Sequence, residues 1–321
     1  MFDFLLEVQH NFLVYGGSYM NKERAINDYF ADCISRKRLN EKTIKAYKID
    51  LKHFFDYMDE ELEDSEKITE YIYRLNNQYE KAKTIKRKIA SIKAFYSYLE
   101  YEGVIETSPF RKIRTKIKEP FVLPKTISSD VIQKIIFYQY ESINNSESDY
   151  QLKKHVRNTA IIELLLATGI RISELCHIEQ ANINLNTGTL KINGKGSKER
   201  NLYININPVI EILKRYIVLY EEELKNNKYF FMNKIGERLS EQSVRYFLNT
   251  LEIKLDLPIK LTPHMFRHTF ATMLLEDDVD IRYIQKILGH SSISVTQIYT
   301  YVTSAKQKEI MLEHNPRKHF E

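Results

Sequence analysis

The sequence predicts a mainly α protein with a small antiparallel β-sheet, divided into two domains. Three observations carry this. In the first third of the chain, apolar residues recur at three- and four-residue steps, the period of a helix with one buried face. In the second half, "ANINLNTGTLKINGKGSKERNLYIN" alternates and carries the turn signals Asn-Thr-Gly and Asn-Gly-Lys-Gly, as short antiparallel strands do. Between them, "RKIRTKIKEPFVLPK" is almost wholly cationic and is broken by Pro120 and Pro124. The expected divisions are an N-terminal extension over residues 1–19, a helical domain over 20–112, a basic linker over 113–126 and a second domain over 127–321.

Each element follows from its own pattern. In "TIKAYKIDLKHFFDYM", Ile44, Tyr47, Leu51, Phe54, Phe55 and Met58 form a stripe, with Asn40 or Thr43 as cap. "SEKITEYIYRLNNQY" is a shorter helix. In "TIKRKIASIKAFYSYLEYEG", Ile85, Ile89, Ile92, Tyr96 and Leu99 form another stripe that Gly103 ends. The second domain opens on "SSDVIQKIIFYQY", a helix with a Ser cap. "TAIIELLLATG" is apolar nearly all round, so it predicts a buried helix. Helices return after the strands. Residues 1–19 are read as a small protein-contact helix or a disordered lead.

Composition narrows the function classes. The chain has 321 residues, 43% hydrophobic and 28% charged, with net charge +5. That fits a folded protein with a mildly basic surface, compatible with nucleic acid. The two cysteines, Cys33 and Cys176, are far apart and form no metal or disulfide framework pattern. The N-terminus lacks the basic region of a signal peptide, and no apolar run is long enough to span a membrane. A cytoplasmic, nucleoid-associated protein with no membrane partner is expected.

The stretch "LTPHMFRHTFATMLL" places His264, Arg267 and His268 at one helix start. Two histidines four apart raise the possibility of a metal. A zinc protease, however, carries Glu beside the first His, and Met265 stands there. No metal and no cofactor are expected. The anion alternative draws in Arg171 in "ATGIRISEL", Lys195 in "INGKGSKER" and His290 in "LGHSS". Guanidinium pairs grip phosphate oxygens bidentately. They best stabilise the charge that a phosphodiester gains under attack. Tyr299 supplies a hydroxyl nucleophile, which needs a base and a positive field because tyrosine ionises near ~10.

Taken in order, "LLATGIRISEL", "GKGSKER", "TPHMFRHTFAT", "IQKILGHSSISVTQIYTYV" and the terminal "HNPR" resemble the tyrosine recombinase (phage integrase) family, and most closely its Xer-type members. The resemblance spans the second half in order, and the helical first half is similar to that family's SAM-like core-binding domain by pattern. It implies that Arg171 and Arg267 clamp the scissile phosphate, and that Lys195 protonates the leaving 5′ oxygen. His264 would accept the tyrosine proton, His290 would hydrogen-bond the phosphate, and Tyr299 would attack to leave a 3′-phosphotyrosyl link. Glu174 would orient a catalytic side chain. Lys198 competes with Lys195, and Tyr301 and Tyr216 compete with Tyr299; the family's spacing selects Lys195 and Tyr299. His268 is read as a packing or capping residue.

DNA contacts are expected from Lys42 and Lys45 before the first long helix, from Lys83, Lys86, Arg87 and Lys88 on the basic helix, and from Arg114 in the linker. Lys198 and Arg200 beside the hairpin turn, and Gln242 and Arg245 on "SEQSVRYFLNTL", complete the set. The partner implied is double-stranded DNA with an inverted-repeat core site, held by a homotetramer on two sites, with a partner recombinase or accessory protein as an open addition. In relatives a C-terminal helix docks on a neighbouring protomer; Ile310, Met311 and Leu312 would serve that packing or fold back in cis. Integration or excision of a mobile element and chromosome or plasmid dimer resolution both fit. The alternatives are DNA relaxation of the type IB topoisomerase kind and a catalytically silent DNA-binding protein.

Overall fold

A computed structural model describes residues 12–15, 18–58, 64–119, 124–194 and 199–289, with the backbone alone for residues 12–22. The chain divides into two compact units, Met1–Phe121 and Val122–Glu321. Both are mainly helical, and the second carries the small antiparallel sheet, as the sequence predicts.

The first unit begins with a feature the sequence reading missed. Instead of a contact helix or disorder, strands β1 (Phe12–Tyr15) and β2 (Ser18–Asn21) pair antiparallel, Phe12 opposite Asn21 and Tyr15 opposite Ser18. Phe, Leu, Val and Tyr in succession are strand formers, and the Gly-Gly pair between the strands is a composition that hairpin loops favour. Four helices follow: α1 (Lys22–Ser35), α2 (Glu41–Met58), α3 (Ser65–Gln78) and α4 (Ala82–Tyr101). Asn40 caps α2, its Oδ1 accepting the Thr43 N–H at 2.9 Å. The stripes meet in an aromatic-rich core in which Tyr29 stands edge-on to Phe95, with centroids 5.3 Å apart, and Phe54 edge-on to Tyr71 at 5.3 Å.

Buried charge joins α2 to α4. Asp50 is 0% exposed and takes Arg87, Lys88 Nζ at 3.2 Å and Ser91 Oγ at 3.3 Å. Lys88 Nζ also meets His53 Nδ1 at 3.2 Å. The first part of the basic stretch after α4 packs on this unit. Ile113 and Ile117 pack on the core, and Lys93 Nζ donates to Thr115 Oγ1 at 3.3 Å. Glu119 holds Lys86 at 2.7 Å and Lys83 at 3.9 Å.

The second unit is built around α6 (Asp149–Thr168), which packs against α5 (Ser129–Asn144), α8 (Asn207–Leu219) and α11 (Pro263–Glu276). Val156, Ala160, Ile161, Leu164 and Leu165 bury its apolar faces. Gly169 ends it at φ +59°, where a Cβ would come within 2.5 Å of the Phe270 ring. The chain then turns into the short α7 (Ile172–Cys176) and the meander β3 (Ile183–Asn184), β4 (Thr189–Asn193) and β5 (Glu199–Tyr203), with Leu190 opposite Leu202. Among the described residues, helices α9 (Glu221–Lys225), α10 (Glu241–Lys254) and α12 (Ile281–Leu288) also belong to it. Leu288 and Ile284 seat α12 on Ala271 of α11.

Removing one member of a buried ion pair leaves an uncompensated charge, at a cost of about 3–5 kcal/mol. Asp50→Ala should therefore destabilise the protein by about that amount in urea melts, and Asp50→Ala combined with Lys88→Met should recover most of it. A single-variant loss no larger than that of a surface substitution would show that the pair is not what joins α2 to α4.

Candidate active site

Three arginines far apart in sequence converge on the last carbonyls of α12. Arg267 Nη2 donates to the Leu288 carbonyl at 2.6 Å, and Arg171 Nη1 reaches the same oxygen at 3.4 Å. Arg171 Nη2 donates to the Gly289 carbonyl at 3.3 Å, and Arg200 Nε to that of Ile287 at 2.7 Å. The end of a helix leaves carbonyls without partners and carries partial negative charge, so it accepts such donors. Arg267 Nη1 also donates to the Gly169 carbonyl at 2.9 Å. The residue after Gly289 is His290, so this cluster fixes the point from which that histidine departs.

One carboxylate organises the cluster. Glu174 Oε2 accepts the Arg171 backbone N–H and Arg200 Nη2, each at 2.8 Å. Glu174 Oε1 accepts Arg171 Nη1 at 2.9 Å and Arg200 Nη1 at 3.0 Å. Each oxygen takes two bonds, its full capacity. Burial alone would raise the pKa of Glu174. The Arg200 hydrogen bonds, the Arg171 backbone N–H and the two positive charges outweigh burial and hold it below the ordinary carboxylate value.

Local sequence explains each placement. Arg171 caps α7 and Glu174 lies three residues on, the spacing of a capping box. Thr262 caps α11 and Pro263 opens it, so His264, Arg267 and His268 fall in its first two turns. Arg267 is only 4% exposed whereas His264 is exposed. Gly289 closes α12 at φ +64°, and a Cβ there would come within 2.9 Å of Arg200 Nη1.

The cationic field acts on both histidines. His264 has its pKa lowered, first by desolvation and then by Arg267, Arg171 and Arg245, so its ring is neutral near neutral pH and able to take a proton. His268, half-buried, is pushed down to about 4 by desolvation, His264 and Arg267. The two rings lie 6.4 Å apart by centroid. Among the described residues no group of three or more His, Cys, Asp or Glu is placed to hold a metal ion.

The structure thus brings Arg171, Glu174, His264 and Arg267 together. Lys195, Lys198, His290, Tyr299 and its rival Tyr301 lie outside the described residues, as does the tail with Ile310, Met311 and Leu312. Tyr216, the other rival nucleophile, is 0% exposed and fixed in the core: its hydroxyl donates to the Phe230 carbonyl and accepts the Met232 N–H, each at 2.9 Å. Burial raises its pKa, so it offers no accessible phenolate. Two expected DNA contacts have other placements. Lys88 is 3% exposed and spent on Asp50, and the Arg200 side chain is 12% exposed and spent on Glu174 and Ile287. Lys42, Lys45, Lys83, Arg87 and Arg114 are exposed, and Lys86 is partly so. Arg245 pairs with Glu241 at 2.9 Å, and Gln242 lines a cleft between α5, α6 and α10. The anchors the sequence did not reveal are the carbonyls of Gly169, Leu288 and Gly289; the glycines before Arg171 and His290 were the available signal.

Comparison with known proteins agrees in both halves. The model of the "Phage integrase family" matches residues 134–306, and that of the "Phage integrase, N-terminal SAM-like domain" matches residues 26–103. A tyrosine recombinase of Agathobacter rectalis is 47% identical over 305 residues, covering 94% of this chain and 99% of its own. Tyrosine recombinase XerD of Oceanobacillus iheyensis is 34% identical over 310 residues, covering 92% and 99%. The solved structure of the XerH site-specific recombinase bound to a palindromic difH substrate shares the fold. Its TM-score is 0.71 at 21% identity, over 88% of this chain and 83% of that one.

Gly289→Ala should destabilise the protein by about 1–2 kcal/mol, the cost of a left-handed residue that bears a Cβ, with a further loss from displacing Arg200. A denaturant melt matching the parent would show that the turn tolerates a side chain. The folded pKa of His268, about 4, lies below the unfolded 6.5, so the folded state binds fewer protons in that window. Stability should be full above pH 6.5 and fall as the pH drops towards 4. Urea melts of the parent and of His268→Gln across this range should differ in slope; equal slopes would remove His268 as the cause.

Proposed function

The chain belongs to the phage integrase family of tyrosine recombinases, and from that membership we propose that it cuts and rejoins DNA at a specific site through a 3′-phosphotyrosyl intermediate. The observation that carries this reading is the meeting of two guanidinium groups, Arg171 and Arg267, on the single carbonyl oxygen of Leu288. Sequence positions 96 apart are thereby held as one pair of anion donors, and with desolvation they lower the pKa of the His264 imidazole.

In the proposed reaction, the scissile phosphate docks on Arg171 and Arg267. The Tyr299 hydroxyl attacks phosphorus while His264 takes its proton. The P–O5′ bond breaks as Lys195 protonates the leaving oxygen, and His290 donates to a nonbridging oxygen. The new P–O bond to Tyr299 conserves the phosphodiester linkage, so a 5′ hydroxyl from another strand reverses the step without ATP. The guanidinium donors act mainly on the charge that develops in the transition state. Glu174 keeps Arg171 in place. The target is duplex DNA with an inverted-repeat core, bound by a tetramer on two sites. The task is integration or excision of a mobile element, or dimer resolution.

Adduct trapping tests this reading. The protein is incubated with nicked duplex fragments from the DNA flanking its gene and run on a denaturing gel. The parent and Tyr301→Phe should form a covalent adduct, and Tyr299→Phe should form none while binding DNA within a few-fold of the parent, because phosphate contacts dominate affinity. Arg171→Lys should slow adduct formation by about 10²–10³, as loss of an oxyanion donor does. An adduct that survives Tyr299→Phe would overturn the nucleophile. EDTA should leave the rate unchanged, and inhibition would point instead to a metal on His264 and His268.

A further inference from the structure

We infer that Arg200 is a positioning residue for strand cleavage, acting through Glu174 on Arg171; the inference rests on the strand-cleavage reading above. From sequence, Arg200 reads as a DNA contact. Its geometry says otherwise. Three of its five N–H donors are spent inside the protein, two on the Glu174 carboxylate at 3.0 and 2.8 Å and one on the Ile287 carbonyl at 2.7 Å. Its side chain is largely buried, and its guanidinium packs where any side chain at Gly289 would have to go.

Two consequences follow from that placement. The first is mechanical. Arg200 lies on β5, one of the two strands that flank Lys195 in sequence, and it bonds to the end of α12, from which the chain runs to His290. Through Glu174 it also bonds to the segment that carries Arg171. Three pieces of chain, each contributing a group to the proposed reaction, are thus referred to one guanidinium fork. The second is electrostatic. Glu174 has one negative charge to share, and Arg200 takes half of its bonding capacity in a bidentate pair. Arg171 is therefore oriented by the carboxylate without being neutralised by it, and its charge remains available to a phosphate. Without Arg200, Glu174 would turn wholly to Arg171 and cancel it.

The test compares Arg200→Lys, Arg200→Gln and Arg200→Gln with Glu174→Gln, each as full-length protein, on a nicked duplex that the parent cleaves. Lysine keeps the charge but cannot make the fork. Arg200→Lys should form adduct about a hundredfold more slowly, the effect of a displaced reacting geometry, with duplex Kd within a few-fold of the parent. The double variant should be at least tenfold faster than Arg200→Gln alone, because a glutamine at 174 still accepts the Arg171 N–H but no longer cancels its charge. A merely structural arginine would not be rescued by a second substitution. Parental cleavage by Arg200→Lys, no rescue in the double variant, or a Kd that rises in step with the rate loss would each overturn the inference; the last would return Arg200 to the DNA surface. If the parent itself forms no adduct, the strand-cleavage reading fails. The inference is then judged by urea melts of the parent, Arg200→Gln, Glu174→Gln and the double variant, where losses at 174 and 200 that simply add would refute the coupling and non-additive losses would support it.

Discussion

The candidate site depends on one carboxylate filled to capacity. Glu174 accepts four N–H donors, two on each oxygen, from a backbone amide and two guanidinium groups. A carboxylate with a spare lone pair can swing to a new donor; this one cannot move without losing several charge-assisted bonds at once. It is also buried, so water cannot replace what is lost. The orientation of Arg171, the docking of β5 on α12 and the close of the α12 helix at Gly289 all refer to it.

Beside that fixed point Arg267 is anchored on backbone dipoles. Arg267 is buried and donates to the carbonyls of Gly169 and Leu288. Carbonyls satisfy the donors of a guanidinium but do not cancel its charge. Among the described residues the cluster joins three arginines to one carboxylate, Glu174. Desolvation is the first cause of the lowered pKa of His264, and the charges of Arg267 and Arg171 add to it. Such preorganisation is what transition-state charge stabilisation requires: the donors stand in place before any anion arrives.

Much of this was legible in the sequence, and what was not has identifiable physical causes. The apolar stripes of α2 and α4 and the alternation over β3–β5 are local periodicities, and local periodicity is what burial of one face imposes. Arg171, Glu174, His264 and Arg267 could be picked out because their residue types suit an anion and their order matches a family. The hairpin at β1–β2 was missed because one short strand pair has no partner in sequence to announce it. Lys88 and Arg87 are adjacent in sequence, yet one is buried on Asp50 and the other half-exposed; a run of positive charge does not say which side chain turns inward. Arg200 has the same lesson at larger scale, because its partners lie 26 and 87 residues away.

The pairing of Glu119 with Lys86 and Lys83 bears on how DNA affinity should vary with ionic strength. The Lys86 hydrogen bond is the first cause of the lowered pKa of Glu119, so the carboxylate is held ionised beside those lysines. A lysine already matched to a carboxylate is not waiting in solution for a phosphate. On the proposed function, a duplex that recruits it exchanges one anion for another, and the displaced Glu119 must recruit a cation from the buffer as the DNA gives one up. The net count of ions released is then smaller than the count of phosphates touched. Salt would weaken binding less steeply than the number of basic residues facing the duplex suggests, and the first unit would keep its grip on DNA over a wider range of ionic strength.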